Sequence, residues 1–428
     1  MLKKYICLGF LLFSSLSFGM TQNISQLGFE AVEHAVIGDE VVLLFSESDA
    51  RVKTKLRLSN GLYLTYGEIV SLAGDFYGVP EAPIMLGKTL SEKRQRFMQA
   101  YNSLALDPQA VFEEPKIMAI IQDEQKQLQE GMQRGEKPID IYAKMAIDHN
   151  MDWNCITGGL CENEALGITR DKLRKIYFLK QGRYLKLAIT DHDHFGEDAY
   201  GAYEVGHQLA VETAILAKQT QNISLLDKAY SINAFACHYL SDGFAAGHMR
   251  TPRYFLSSQV TPSTVGSLLA NYMHREDGEL GLWVTNKRGN AWKAYGDGYY
   301  FDDRNRENRA ALHEAMQSSA NHVYLAYREG NASYQDTALL IAPDLHKLLE
   351  QPQSENNSSP LFFWDNKTHT LLRRTQINSS ITYKWTSKWL GWETLIELIN
   401  AHGIPHEDRA KLLADESTND RLTKALTN

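Results

Sequence analysis

Histidines and an aspartate recur at metal-ligand spacing in the stretch 237–248, CHYLSDGFAAGH. His238 and Asp242 are four residues apart, so on a helix they share one face, and His248 follows after a glycine-containing turn. A buried imidazole or carboxylate that lacks a partner costs about 1–3 kcal/mol. Zinc supplies such a partner, because imidazole nitrogens and carboxylates are its usual nitrogen and oxygen ligands. The stretch therefore favours a metal site over its alternative, a capped core helix with solvated histidines.

Two earlier positions are further ligand candidates. His34 lies in a predicted helix over 24–36, where a packed or solvated histidine is the alternative. Asp75 lies near the end of a predicted helix over 65–76, in which Thr65 and Glu68 have the spacing of a capping box. An acid at a helix C-terminus opposes the helix dipole unless a cation holds it. Asp75 is therefore either a metal-facing acid or part of a surface turn.

The segment 190–195, TDHDHF, holds two histidines and two aspartates just before a predicted helix over 200–219. His192 and His194 point the same way if the segment is extended. His194 is the ligand candidate, and an exposed charged loop is the alternative. By contrast, His149 and the aspartates beside it are typical of a turn.

A second histidine–carboxylate pair follows the central stretch. His274 and Asp277 are three residues apart at the end of a predicted helix over 267–275, so they share a face. Glu279 is the competing acid, and a polar helix end running into a turn is the structural alternative.

Composition limits the class of protein. The chain has 428 residues, of which 43% are apolar and 22% charged, enough for one large or two ordinary domains. Its formal charge of −8 disfavours binding to nucleic acid through released counterions. It leaves open a nuclease whose metal ions supply the positive field.

The first nineteen residues read as a signal peptide, with Lys3 and Lys4 before a short apolar run at 6–16 and small residues before Met20. That run is too short to anchor the chain in a bilayer. We expect a secreted protein, periplasmic or extracellular, without a transmembrane segment after cleavage. The Cys155–Cys161 spacing across a turn-forming link predicts a small disulfide loop, in keeping with an oxidising compartment.

Helical periodicity dominates, and the predicted fold class is mainly α with a smaller C-terminal α+β region. A linker by composition, 351–360, precedes that region. Other helices are predicted over 91–105, 115–134, 170–179, 226–240, 304–328, 392–401 and 406–414, a hairpin over 282–286 and 291–295, and strands over 361–364, 369–374 and 381–385.

The stretch HYLSDGFAAGH resembles the HxxxD-x5-H signature of the zinc-dependent phospholipase C and S1/P1 nuclease superfamily. His34, Asp75 and His194-Phe195 match its early histidine, its aspartate and its His-Phe or His-Tyr pair, so the resemblance covers 20–330. The bacterial zinc metallophospholipases C are the closer likeness, through GLYLTYGEIVSLAGDFYG, HREDGELGL and WVTNKRGNAWKAYGDG.

This resemblance implies a phospholipase C/P1-nuclease-like catalytic domain over 20–330 with three zinc ions. The helical insertion at 86–190 would cover the cleft, and 331–428 would form a linker and accessory region. The implied zinc ligands are His34 with the mature N-terminus and Asp242; Asp75, His194 and His238 with Asp242; and His248 and His274 with an acid. Because Gly278 stands four residues after His274, Asp277 is our choice for that acid and Glu279 the alternative.

The implied reaction is hydrolysis of a phospholipid, with phosphatidylcholine expected, to diacylglycerol and a phosphorylated head group. Asp75 would orient or deprotonate the attacking water. Possible aromatic walls for lipid or choline, each with a core role as the alternative, are Phe76, Tyr77, Phe195 and Phe244. We expect a monomer that acts at a membrane surface and binds no nucleic acid. The alternatives are an exported single-strand nuclease on the same scaffold and a zinc-stabilised binding protein whose ions are fully protein-ligated.

Overall fold

The computed structural model describes residues 30–332, 335–350 and 357–403. The predicted signal peptide at 1–19, the N-terminus at Met20 and the predicted helix over 406–414 lie outside the described residues. Within them the chain is mainly helical with small antiparallel sheets, which confirms the predicted class. Among the described helices, none has both the length and the apolar character required to cross a bilayer.

The elements follow one another in a mostly helical order. The helices are α1 Ala31–Asp39, α2 Tyr66–Leu72, α3 Leu90–Ala105, α4 Ala110–Gln133, α5 Pro138–Ile156, α6 Arg170–Ile176, α7 Arg183–Ile189, α8 Gly196–Thr220, α9 Ile223–Asp242, α10 Ala246–Met249, α11 Arg253–Gln259, α12 Ser263–Leu280, α13 Arg306–Glu329, α14 Ala338–Ile341, α15 Leu345–Glu350 and α16 Gly391–His402. The strands are β1 Leu43–Ser46, β2 Asp49–Arg51, β3 Leu56–Arg57, β4 Tyr63–Leu64, β5 Leu282–Thr285, β6 Ala291–Ala294, β7 Phe362–Asp365, β8 Thr370–Arg374 and β9 Trp385–Thr386.

Helix α9 is the centre of the fold. Gln221 and Asn222 connect it to α8, and the two helices form the most extensive helix–helix contact. Helices α2 and α13 pack against it as well. Every residue of α9 from Tyr230 to Asp242 is buried, as expected for a helix that neighbours surround on all sides. Polar side chains in this part of α9 therefore have no access to bulk water and must find partners inside the protein.

Helix α2 begins with the predicted capping box. The Thr65 hydroxyl accepts a hydrogen bond from the Glu68 N–H at 3.1 Å, and the Glu68 carboxylate accepts one from the Thr65 N–H at 2.7 Å. The helix ends at Leu72 rather than at residue 76. Gly74 adopts a left-handed conformation with φ +69°, so Asp75 lies in the turn beyond the helix.

The segment 86–190 is helical, but the turn expected around His149 is wrong. This residue lies within α5. The aspartates on either side pair with arginines of the next helical segment: Asp148 with Arg174 at 2.8 Å and Asp152 with Arg170 at 2.5 Å. A disulfide between Cys155 and Cys161 closes the C-terminal end of α5.

The C-terminal elements share a core with α12. Strands β7, β8 and β9 form an antiparallel sheet, and Leu268 of α12 belongs to the same apolar cluster as Phe362 and Leu395. Arg374, which is fully buried, donates hydrogen bonds to both carboxylate oxygens of Glu276. Helix α12 is thus fixed from its outer side by the C-terminal sheet. The predicted hairpin, which follows α12 in the chain, is confirmed as β5 and β6, with Val284 opposite Trp292.

Candidate metal centre

The Asp242 carboxylate lies at the C-terminal end of α9 among four imidazoles. Its Oδ2 is 2.9 Å from His194 Nδ1 and 3.6 Å from His238 Nε2. Its Oδ1 is 3.6 Å from His34 Nε2 and 3.8 Å from His248 Nδ1. The Asp242 side chain has no exposed surface. One acid therefore joins histidines from four different parts of the chain.

Hydrogen bonds to the protein fix the orientation of two of these rings. His238 donates from Nδ1 to the Val70 carbonyl oxygen at 2.9 Å, which turns its Nε2 lone pair towards Asp242. His34 Nδ1 lies 2.9 Å from the Ser241 hydroxyl, whose own proton goes to a backbone carbonyl of α9. Such outer partners fix the tautomer and the direction of a ligating imidazole.

His194 arrives on a 3-10 turn, His192–His194, whose aspartates have structural partners. Asp193 accepts hydrogen bonds from the backbone N–H groups of Ile84 and Met85 at 2.5 and 2.8 Å. The other aspartate of the segment, Asp191, accepts one from Arg253 at 2.7 Å. The two aspartates thus hold the turn in place through hydrogen bonds, and the turn places His194 in the interior.

A further cluster forms where α10, α12 and the loop after β6 meet. His274 Nε2 lies 2.7 Å from Asp297 Oδ2, and His248 Nε2 lies 3.8 Å from the same oxygen. His248 donates from Nδ1 to the His194 carbonyl oxygen at 2.8 Å, which links this cluster to the first. Gly247 leaves room for it, since a Cβ there would stand 2.6 Å from His274 Cδ2.

Three groups in this region could hold a metal ion, each with its ligand atoms within 4.8 Å of one another. They are His34, Asp75 and His238; His194, His238 and Asp242; and His248, His274 and Asp297. The first two groups share His238, which has only Nε2 left for an ion. Both oxygens of Asp242 and Asp297 and Nε2 of His248 are buried, and the closest partners recorded for these carboxylates are the imidazole nitrogens given above. Burial of such atoms is costly unless a cation satisfies them, so the residues fit metal ions with nitrogen and oxygen preference.

Asp277, which the sequence predicts as the acid beside His274, does not join the cluster. Its carboxylate accepts two hydrogen bonds from Arg250, at 2.6 and 2.8 Å, and both side chains are buried. Asp297 lies beside His274 instead, and Glu279, the alternative, belongs to no described group of ligands. Because Asp297 follows a hairpin, helical spacing could not reveal it. The Gly-Asp-Gly sequence at 296–298 was its only signal.

The four predicted aromatic walls are packed in the interior. Phe76 lies between the rings of Trp153 and Tyr184, at centroid distances of 5.1 and 5.3 Å, and Tyr77 lies against the Arg183 guanidinium. Phe244 is fully buried. Phe195 alone touches the cluster, with its ring stacked on His248 at 4.5 Å and parallel to within 2°. Its position supports a ligand ring rather than a substrate.

The pKa values in the metal-free chain follow from burial and from the Asp242 charge. Burial raises the pKa of Asp75 to about 8; His194 opposes the shift and Asp242 adds to it. Burial alone would lower the pKa of His194, but the carboxylates around it, led by Asp242, raise it to about 9. Burial lowers the pKa of His34 to about 4. The metal-free cluster therefore holds its positive charge on His194.

No protein-family model, curated protein or solved structure matches the chain.

Substitution of asparagine for Asp297 and for Asp277 tests which of the two aspartates binds metal and which one only stabilises the fold. We expect Asp297→Asn to lower bound metal, because a neutral amide is a poorer ligand than a carboxylate, while the fold persists. Asp277→Asn leaves Arg250 buried without its counter-charge and should lower the free energy of unfolding by about 3–5 kcal/mol, with the metal content of the folded fraction unchanged. Metal analysis and urea unfolding of both variants test this, and the reverse pattern would contradict it.

Metal-stripped protein should become less stable as the pH rises from about 7.5 to 9, above the range in which the histidines with lowered pKa values, such as His34, take up protons on unfolding. The folded-state pKa values of Asp75, about 8, and His194, about 9, both exceed their ordinary values. The folded state therefore binds more protons than the unfolded state in this range, and the stabilisation present at lower pH is lost as the pH rises through them. Zinc displaces these protons, so the loaded protein should show a weaker dependence. Melting temperatures measured across this pH range, in chelator and in zinc, check this prediction. An equal change of melting temperature with pH under both conditions would refute it.

Proposed function

We propose that this chain is a secreted zinc-dependent phospholipase C, which hydrolyses the glycerol-side phosphodiester of phospholipids, phosphatidylcholine among them. The observation that carries the proposal is the buried Asp242 carboxylate, with one oxygen towards His194 and His238 and the other towards His34 and His248. An acid in this position is suited to join neighbouring ions in one centre. The sequence resemblance to the zinc phospholipases C supports the same function.

The chain's own residues would hold the ions. His34, Asp75 and His238 would form one set of ligands, His194, His238 and Asp242 an overlapping set, and His248, His274 and Asp297 a separate one. Zinc in such sites lowers the pKa of water towards neutrality and neutralises phosphate charge. Thiolates are absent from these described groups, which leaves the imidazole and carboxylate donors typical of catalytic zinc.

Asp75 is the acid best placed to handle a proton. Asp242 and Asp297 are fully or almost fully buried, whereas Asp75 retains partial exposure. It can therefore exchange a proton with solvent after accepting one from the attacking water. Its position after Gly74, whose added Cβ would stand 2.4 Å from His238 Nε2, keeps it against the cluster without a side chain in between.

A small cleft lies beside the cluster, and its lining includes Gly74 and His194. Its other walls combine the aliphatic residues Val79, Pro83, Ile84 and Leu187 with polar ones, Thr190, Asp191 and Asp193. Tyr239 is the one aromatic residue of the lining, and only 3% of it is exposed. A single-strand nuclease would need exposed rings on which bases stack, and the lining of this cleft offers none.

Export agrees with the proposed substrate. A disulfide between Cys155 and Cys161 is typical of proteins that fold in an oxidising compartment, where phospholipid surfaces are accessible. We propose that residues 1–19 direct this export and that the protein acts as a monomer.

Hydrolysis of phosphatidylcholine vesicles by the purified protein tests the function. We expect release of phosphocholine and diacylglycerol that chelator abolishes and zinc restores. His194→Ala should lower the rate by more than roughly 100-fold, because even an outer partner of a metal ligand is worth 10–100-fold. His192→Ala is the matched control: it lies in the same turn, but its ring packs against Tyr254. This variant should keep the wild-type rate.

Other results would reject the proposal in distinct ways. Zinc-dependent cleavage of single-stranded nucleic acid without lipid hydrolysis would indicate the nuclease. Tight zinc binding that stabilises the protein, without turnover of either substrate, would indicate the binding protein. Equal loss of activity in His194→Ala and His192→Ala would show that the activity requires the intact turn and not the His194 imidazole in particular.

A further inference from the structure

A separate group of two histidines and an aspartate lies outside the site described above. His207 of α8, His322 of α13 and Asp336, which precedes α14, place three ligand atoms within 4.8 Å of one another. His207 Nε2 is 2.7 Å from His322 Nδ1 and 4.0 Å from Asp336 Oδ2. The spacing of these residues along the chain, 115 and 14 positions, gives no sign of a motif.

The group is distinct from the Asp242 centre. Gly196, at the start of α8, lies two residues after His194, and His207 lies about 16 Å further along the helix at roughly 1.5 Å per residue. None of its members belongs to the three groups around Asp242.

In the metal-free chain the two facing imidazole nitrogens, 2.7 Å apart, share a hydrogen bond in which one ring donates its N–H to the lone pair of the other, and a metal ion could replace that proton. Zinc-bound nitrogens stand about 2.0–2.1 Å from the ion, hence about 3.3 Å apart in a tetrahedron. An ion would therefore enter if the two rings separated by roughly half an ångström. The Asp336 carboxylate, with Oδ2 4.0 Å from His207 Nε2, would supply the third, negatively charged ligand.

Hydrogen bonds to neighbouring groups hold this cluster in place. The far nitrogen of His207, Nδ1, lies 3.1 Å from the Ser319 hydroxyl and 2.9 Å from the Asn233 side-chain amide. Asp336 accepts one hydrogen bond from the Tyr203 hydroxyl and another from the Ala338 N–H, each at 2.9 Å.

We propose that His207, His322 and Asp336 bind a structural divalent transition-metal ion, zinc by donor type, at a site separate from the Asp242 centre. The Asp336 side chain is 20% exposed, so solvent can reach the site and a water can complete four ligands. The ion would fasten the segment after α13 to α8, since Asp336 comes from that segment and His207 from α8. This inference does not rest on the proposed phospholipase C activity.

Zinc content of the purified full chain tests the site. We expect His322→Gln and Asp336→Asn each to bind one equivalent less than wild type after dialysis against trace zinc, and to retain phosphatidylcholine hydrolysis. Asp336→Asn keeps a hydrogen-bond acceptor and is the milder change, so it serves if the buried His322 variant does not fold. His313→Gln is the matched control on α13, because its Nε2 is 3.5 Å from the Glu40 carbonyl oxygen and it belongs to none of the described groups of metal ligands.

Cobalt provides a second readout. Cobalt-loaded wild type should show more visible ligand-field absorption than folded Asp336→Asn, by the contribution of one site. Equal metal content and equal absorption in wild type and folded Asp336→Asn would overturn the proposal and leave a hydrogen-bonded histidine pair. Loss of one equivalent in the His313→Gln control would overturn it as well. Absence of lipid hydrolysis in every protein would reject the proposed function but leave this site standing.

Discussion

A carboxylate buried at the negative end of a helix is the constraint on which the rest of this structure depends. Asp242 terminates α9, where the helix dipole disfavours negative charge, and its side chain has no exposed surface. Desolvation alone would protonate it, yet the imidazoles of His238 and His194 hold its pKa far below the ordinary range. The surrounding elements have to deliver positive charge to this point, either as a protonated histidine or as a metal ion.

This requirement explains why distant segments converge on one end of α9. His34 comes from α1, and Glu33 beside it accepts hydrogen bonds from the Gly298 and Tyr300 N–H groups, at 3.3 and 3.1 Å. The same glutamate therefore ties the loop that carries Asp297 to the helix that carries His34. The position of one cluster thus constrains the other through backbone hydrogen bonds, independently of any ion.

Local patterns predicted the parts of the site that depend on local geometry. The four-residue interval from His238 to Asp242 lies on α9 as expected, and the capping box at Thr65 starts α2. The acid beside His274 could not be found in this way. Asp277 satisfies the i,i+3 rule, but Arg250 competes for it, and sequence spacing does not show which cation a carboxylate meets in three dimensions.

In the helical insertion at 86–190, some elements were predicted correctly and others were not, again because partners lie far apart in the sequence. Helix α3 follows its apolar periodicity, whereas the charged residues around His149 suggested a turn. Those charges are paired across helices: Asp148 with Arg174 and Asp152 with Arg170. Ion pairs between two helices allow a polar stretch to remain helical. The sequence of one helix alone does not reveal such pairs, because the partner residue lies in another segment.

The acids discussed above have two kinds of partner: arginine or histidine. Asp277 faces Arg250 and Glu276 faces Arg374, so each of these charges is balanced by a permanent cation of the fold. Asp242, Asp297 and Asp336 face histidines instead. Arginine stays charged at every working pH, whereas imidazole either takes up a proton or offers a lone pair. A carboxylate that faces imidazoles can therefore meet a positive charge that is loaded and removed, as a metal site requires, whereas a carboxylate paired with arginine meets a permanent one.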